Sequence, residues 1–300
     1  MSVRWFTRTR VGRVVAVVVT LVVMTAIVTL TAVLTYHHAA PRPFRPSNPT
    51  PTIASTPATP VLTGPSLAAD FTRLEGTLHA KMGLVVSAIG DGQSLTTFGD
   101  WQEGPAWSTI KVPLAIAAYR QQTPPKLTDA MKAAITESDN AAAESIWEAL
   151  GDPTTAAQRV QQILREAGDS TIVESRKLRP EFTAFGQTIW SLADQVRFTA
   201  SAFCNSDSEP IFHLMEQVEP DQRWGIGGIP DTEFKGGWGP SPSGNYLVRQ
   251  IGVLTSPTGK VAVAMATEPT SGQFADGTQE LGEVAKWLKD HLDALPAGHC

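Results

Sequence analysis

Hydrophobic and polar positions divide the chain into three zones. From Val14 to Tyr36, "VVAVVVTLVVMTAIVTLTAVLTY" runs 23 residues without a charge and with no polar face. As a helix rising about 1.5 Å per residue, it matches the roughly 30 Å hydrocarbon layer of a bilayer. Residues 41–65, "PRPFRPSNPTPTIASTPATPVLTGP", are rich in Pro, Thr and Ser and nearly free of large apolar side chains. That composition predicts an extended tether over 37–65 that cannot build a core. Alternating and helical periodicities begin at Ser66, so 66–300 is expected to be the globular domain.

Within that domain, "SLAADFTRLEGTLHAK" (66–81) places Leu67, Phe71, Leu74 and Leu78 at helical spacing behind a Ser N-cap. "MGLVVSAIGDGQSLTTFGD" predicts two strands around an Asp91-Gly92 turn. The middle, from Ser108 to about Gln217, is helical in pattern. Strand patterns return in "TEFKGGW" (232–238), "YLVRQIGVLTS" (246–256) and "KVAVAMAT" (260–267), the last two joined at Pro257-Thr258-Gly259. "TQELGEVAKWLKDHLDAL" closes the chain as an amphipathic helix. The expected fold class is α+β: an antiparallel five-stranded sheet flanked by the N- and C-terminal helices. A helical lobe, about 108–225, is inserted after the second strand.

Charge sharpens the topology. Residues 1–45 hold six arginines and no acid; removing these from the 24 basic residues leaves 18 against 29 acidic ones, a net −11. Arg4, Arg8, Arg10 and Arg13 precede the apolar run, so positive-inside bias predicts a cytoplasmic N-terminus (1–13), a signal-anchor (14–36) and an extracytoplasmic domain on a single-pass membrane protein. The competing reading is a cleaved signal peptide. Its apolar region is normally about 7–15 residues; here it is longer, and His38 fills one required small position in "HHAAP". An acidic ectodomain argues against nucleic acid as a partner. Two cysteines, Cys204 and Cys300, permit a disulfide on the exported side without requiring one. They cannot build a zinc site, and the six histidines show no paired spacing, so no metal is expected. "GIGGIP" lacks the third glycine of a dinucleotide loop, and no cofactor is expected.

The chemistry lies in three short segments. Ser108 and Lys111 stand three apart at the mouth of the apolar helix "STIKVPLAIAA", so they share a face. Ser138-Asp139-Asn140 lies in "AAITESDNAAA", and Lys235-Gly236-Gly237 lies in "TEFKGGWGP". Ser-x-x-Lys, then Ser-Asp-Asn, then Lys-x-Gly on a strand, in that order, resembles the signature of the serine β-lactamases and penicillin-binding proteins. The domain, over about 68–294, looks like a class A β-lactamase.

The resemblance implies roles. Ser108 would be the nucleophile and Lys111, lowered in pKa by burial beside another cation, its base. Ser138 would relay a proton to the leaving nitrogen, Asn140 would hold the substrate amide, and Lys235 would supply positive charge beside Ser138 and a substrate carboxylate. The backbone N–H groups of Ser108 and Trp238, the latter just after Gly237, would form the oxyanion hole. The hydrogen bond on which this reading depends joins the Lys111 amine to the Ser108 hydroxyl. Asp139 is expected to fix the loop. β-Lactams or peptidoglycan-type peptides and esters are the implied substrates.

Four departures qualify these expectations. Gly236 replaces the Thr or Ser usual in the strand motif and removes a hydrogen bond to a substrate carboxylate, unless Ser241, Ser243 or Arg249 compensates. Only 30 residues separate Ser108 from Ser138, about half the family interval, with "QQTPPKLTD" as the short-cut loop. The Glu-x-x-Leu-Asn of the deacylating loop is absent; Glu174 stands at the expected distance, Glu181 is its equal if the preceding helix is a turn longer, and Glu174 could instead pair with Arg176 or Lys177. Trp107 and Trp238 bracket the site where smaller residues are usual. The expected function is therefore an extracytoplasmic serine hydrolase that acylates on Ser108 and deacylates slowly. The alternative is a non-catalytic cell-envelope binding or scaffolding module of the same fold.

Overall fold

The computed structural model describes residues 66–90, 93–241 and 244–300. The predicted anchor, the tether, the Asp91-Gly92 turn and Ser243 lie outside the described residues. Among those described, no helix is long and apolar enough to cross a membrane.

The chain begins with helix α1 (Leu67–Glu75), whose N-cap Ser66 accepts from the Ala69 N–H at 3.3 Å. The helix expected over 66–81 stops early. Gly76 ends it, and residues from Ala80 are drawn into strand β1 (Ala80–Ala88), where Ala80 pairs with Pro269. Pairing supplies backbone partners that a further helical turn would have to forgo. Strand β2 (Thr96–Gly99) follows, then a short strand β3 (Glu103–Pro105). A 3₁₀ turn, Trp107–Ile110, leads into helix α2 (Lys111–Gln121).

The inserted lobe continues with α3 (Asp129–Thr136), α4 (Asn140–Ala149), α5 (Pro153–Glu166), strand β4 (Ile189–Ser191), α6 (Leu192–Ala202) and α7 (Glu209–Met215). The loop predicted as a short cut, between Gln121 and Asp129, joins α2 directly to α3. Strands β5 (Glu233–Pro240), β6 (Tyr246–Ser256) and β7 (Gly259–Pro269) then complete the sheet, and α8 (Phe274–Asp290) packs on β6 and β7.

The five-stranded sheet has the order β2-β1-β7-β6-β5, antiparallel at every pairing, as expected. Its period-two alternation sends Met82, Leu84, Val263 and Met265 toward α1 and α8, where Phe71, Phe98 and Trp287 form an aromatic cluster. Val85, Ile251, Ala262 and Ala264 face the lobe instead. Helix α2 is buried from Lys111 to Ala118 because the other lobe helices surround it. The pairing of β3 with β4 into a second small sheet is absent from the sequence expectation: three-residue strands carry too little alternation to read. Cys204 and Cys300 form a disulfide, which joins the end of α6 to the C-terminus.

Candidate active site

Ser108 sits in the 3₁₀ turn, not in the first turn of an α-helix; α2 begins only at Lys111. The i, i+3 argument survives, because residues three apart nearly eclipse in a 3₁₀ turn. Trp107, just before Ser108, has φ 49°, a left-handed conformation that a bulky residue adopts only when its surroundings impose it. Those surroundings are polar and buried. Thr109 donates its hydroxyl to Ala106 O (2.6 Å) and accepts from Gln195 Nε2 (2.9 Å). Gln195 in turn accepts from Arg249 Nη2 at 2.6 Å.

Arg249 corrects an expectation. It does not face the cavity as a substitute for the missing hydroxyl of the strand motif. Its fully buried guanidinium donates to Gly104 O and Pro105 O, both at 2.9 Å, and to Trp190 O at 3.0 Å. It therefore ties β3 and β4 together beneath the Ser108 turn. Burial lowers its pKa to about 9, which leaves it charged at neutral pH. No sequence motif marks Gln195 and Thr109, and only their contacts place them under the Ser108 turn.

Lys111 and Lys235 converge on the Ser138-Asp139-Asn140 segment from two sides. Lys111 Nζ donates to Ser138 O (2.5 Å), Asp139 O (3.2 Å) and Asn140 Oδ1 (2.8 Å). Lys235 Nζ donates to Ser138 Oγ (2.8 Å) and Gly236 O (2.9 Å). Ser138 itself has φ 59°, which lets its carbonyl and hydroxyl meet different lysines. Asp139 is the N-cap of α4, accepting from the Ala142 N–H at 2.7 Å; it fixes the loop as expected and leaves the Ser138 hydroxyl free for Lys235.

Desolvation pulls Lys111 down to about 7, opposed by the Asp139 charge. Lys235 is lowered well below the usual lysine value by burial and by Lys111 beside it. The expected hydrogen bond from Lys111 to Ser108 Oγ is not formed. The amine is drawn to three oxygen acceptors on the facing segment, and among the described residues Ser108 Oγ has no hydrogen-bond partner.

Strand β5 supplies the opposite wall. Gly237 abuts the Ser108 turn so closely that a Cβ there would lie 2.9 Å from Ser108 N and 3.0 Å from Ala106 O. This contact brings the backbone just before Trp238 beside the Ser108 N–H. At Gly239 a Cβ would meet the Trp107 indole at 2.6 Å. Gly236 points the other way: a Cβ would lie 2.9 Å from Trp224, so an indole edge occupies the space that a side chain at 236 would take. Ser108, Lys111, Asn140 and Trp238 line one cavity of about 410 Å³, together with Trp107, Phe182 and Tyr246.

Glu174 is not among the lining residues. It pairs with Arg176 at 3.1 Å, and that hydrogen bond holds its carboxyl below the usual range. Of the expectations for Glu174, pairing with Arg176 is the one the structure adopts. Glu144 and Glu181 do line the cavity. Glu144 went unremarked in the sequence, although it lies one turn after Asn140 on α4 and so shares its face; it pairs with Lys177 at 2.9 Å.

No protein-family model matches the sequence, and no curated protein does. Solved structures do match. The TLA-3 extended-spectrum β-lactamase is 17% identical with a TM-score of 0.61 over 75% of this chain and 98% of its own. A class A β-lactamase from Mycobacterium abscessus is 13% identical, TM-score 0.60, over 76% of this chain and 100% of its own. A representative class A enzyme from Bacteroides cellulosilyticus is 16% identical, TM-score 0.62, over 76% and 97%. Over about three quarters of its length, therefore, this chain has the fold of the class A β-lactamases.

Proposed function

We propose that the domain is a serine hydrolase that forms an acyl-enzyme on Ser108 with β-lactams or cell-wall peptides and esters, displayed outside the cell membrane by the 14–36 anchor. In this mechanism the Lys111 amine turns its lone pair to Ser108 and takes the hydroxyl proton as Oγ attacks the carbonyl. The oxyanion that forms is held by the backbone N–H groups of Ser108 and Trp238. The proton then passes through Ser138 to the leaving nitrogen as the carbon–nitrogen bond breaks. Lys235, on Ser138 Oγ, stabilises the relay. Water would later release the acyl group.

The observation that carries this reading is the hydrogen bond of Lys235 to Ser138 Oγ at 2.8 Å, with Lys111 on the same segment and lining the cavity that Ser108 enters. Deacylation is slow on this account. Glu174 is spent on Arg176 and Glu144 on Lys177; the remaining carboxylate that lines the cavity, Glu181, is exposed and, among the described residues, makes no hydrogen bond to Ser108 or Lys111. A binding module without catalysis is the second reading, favoured by the absent Ser108–Lys111 hydrogen bond. Mass spectrometry of the full-length chain with a penicillin decides between them. The expected result is a persistent adduct on Ser108, lost in Ser108→Ala, with little colour released from a chromogenic cephalosporin. Absence of any adduct, from penicillin or simple esters, rejects the hydrolase.

A further inference from the structure

The charges facing the cavity are unevenly matched. Lys111, Glu144, Lys177 and Glu181 line it. Lys177 is engaged with Glu144, and Lys111 is held by three acceptors of the Ser138–Asn140 segment. Arg179, close by, donates Nη2 to Pro240 O at 3.0 Å, and its guanidinium rests on the rings of Trp107 (5.2 Å) and Phe182 (4.6 Å). Each of these cations is already committed. Glu181, by contrast, is exposed at the cavity and has no ion-pair partner among the described residues.

The rest of the wall is aromatic: Trp107, Phe182, Trp238 and Tyr246. Behind Trp238, Trp224 (ring centroids 6.1 Å apart) fills the space over Gly236. A carboxylate entering the cavity would find every lining cation already engaged and would share the space with the Glu181 carboxylate. Arg179 already covers the Trp107 and Phe182 rings, so an ammonium would meet the Trp238 and Tyr246 rings, which attract cations, and the Glu181 carboxylate. Like charge at short range repels, and partial desolvation in a cleft strengthens both effects.

We propose that this cavity binds acyl substrates bearing an ammonium group beside the scissile bond more tightly than matched ones bearing a carboxylate there, so that a carboxylate such as a penicillin's is accepted but not favoured. The inference rests on the acyl-transfer reading above and names its substrate class. Glu181 and the aromatic wall are the specificity determinants.

Binding to the full-length Ser108→Ala protein tests the preference without chemistry. Three matched probes are titrated by calorimetry at low salt: N-(2-aminoethyl)phenylacetamide, N-ethylphenylacetamide and phenylacetylglycine. The ammonium probe is expected to bind about tenfold more tightly than the carboxylate probe, with the neutral one between. Glu181→Gln should cut that ratio to about threefold or less. Equal or tighter binding of phenylacetylglycine, no binding by any probe, or a ratio unmoved by Glu181→Gln overturns the proposal. Mass spectrometry of the wild type with the matching esters separates it from the parent reading. Adducts formed without charge preference overturn the selectivity alone. A charge preference in Ser108→Ala with no adduct on the wild type supports the selectivity and retires the hydrolase.

Discussion

Lys111 concentrates the chemistry of the site in one amine. Burial holds its pKa at about 7, so near neutral pH roughly half the molecules carry the unprotonated form that a base requires. Adduct formation on Ser108 is therefore expected to rise through about pH 7 and level off above it, and a flat rate between pH 5.5 and 9 would remove Lys111 as the base. The same shift governs stability. Between about pH 7 and 10 the unfolded chain keeps a proton on residue 111 that the folded chain has lost. Stability should accordingly increase as pH rises across that window, and Lys235, lowered in the same direction, adds to the slope. Urea midpoints measured from pH 7 to 10 check the sign. Arg249 shows the opposite outcome for a buried cation: four oxygen acceptors let it keep its charge, and it serves the backbone of β3 and β4 instead of a substrate.

At the scale of elements, β5 is an edge strand whose glycines set the distance to the Ser108 turn. Gly237 and Gly239 lie against Ser108 N and Trp107, while Gly236 faces Trp224 on the other side. The sequence displays Gly236 as a lost hydroxyl; the structure shows a packed one-atom gap. Gly236→Ser is expected to force the Trp224 ring aside and destabilise the protein by about 1–3 kcal/mol. Adding Trp224→Ala should return part of that loss relative to Trp224→Ala alone. A double-mutant cycle by urea unfolding reads the coupling, and strict additivity would mean the ring is not the obstacle. The partition of α4's start is equally local. Asp139 caps the helix, so Ser138 is released to Lys235, an assignment the Ser-Asp-Asn motif suggests and only the cap geometry establishes.

For the whole molecule, the bond between Cys204 and Cys300 closes a loop of 96 residues in sequence separation, running from the end of α6 through the sheet to the chain terminus. Cross-linking a loop of that size contributes about 2–5 kcal/mol, chiefly by restricting the unfolded chain. Cys204→Ser should lower the urea midpoint of unfolding by a corresponding amount. The Ser108 cavity is lined by neither cysteine, so adduct formation should persist. An unchanged midpoint would show that the bond adds nothing to stability.

The five strands of the main sheet and the positions of Ser108, Lys111, Ser138, Asn140 and Lys235 in their motifs were legible in the linear chain; the β3–β4 pair was not. Periodicity reports which face of an element is buried, and short-range spacing reports which residues share a turn. What the chain alone left open depended on contacts between distant segments. Arg249 lies beneath the turn, Trp224 lies over Gly236, Glu174 is bound to Arg176, and Lys111 meets the 138–140 segment in place of the hydroxyl three residues away. Each was decided by competition for buried space and for hydrogen-bond acceptors. Those exist only once the sheet and the inserted lobe have closed on one another.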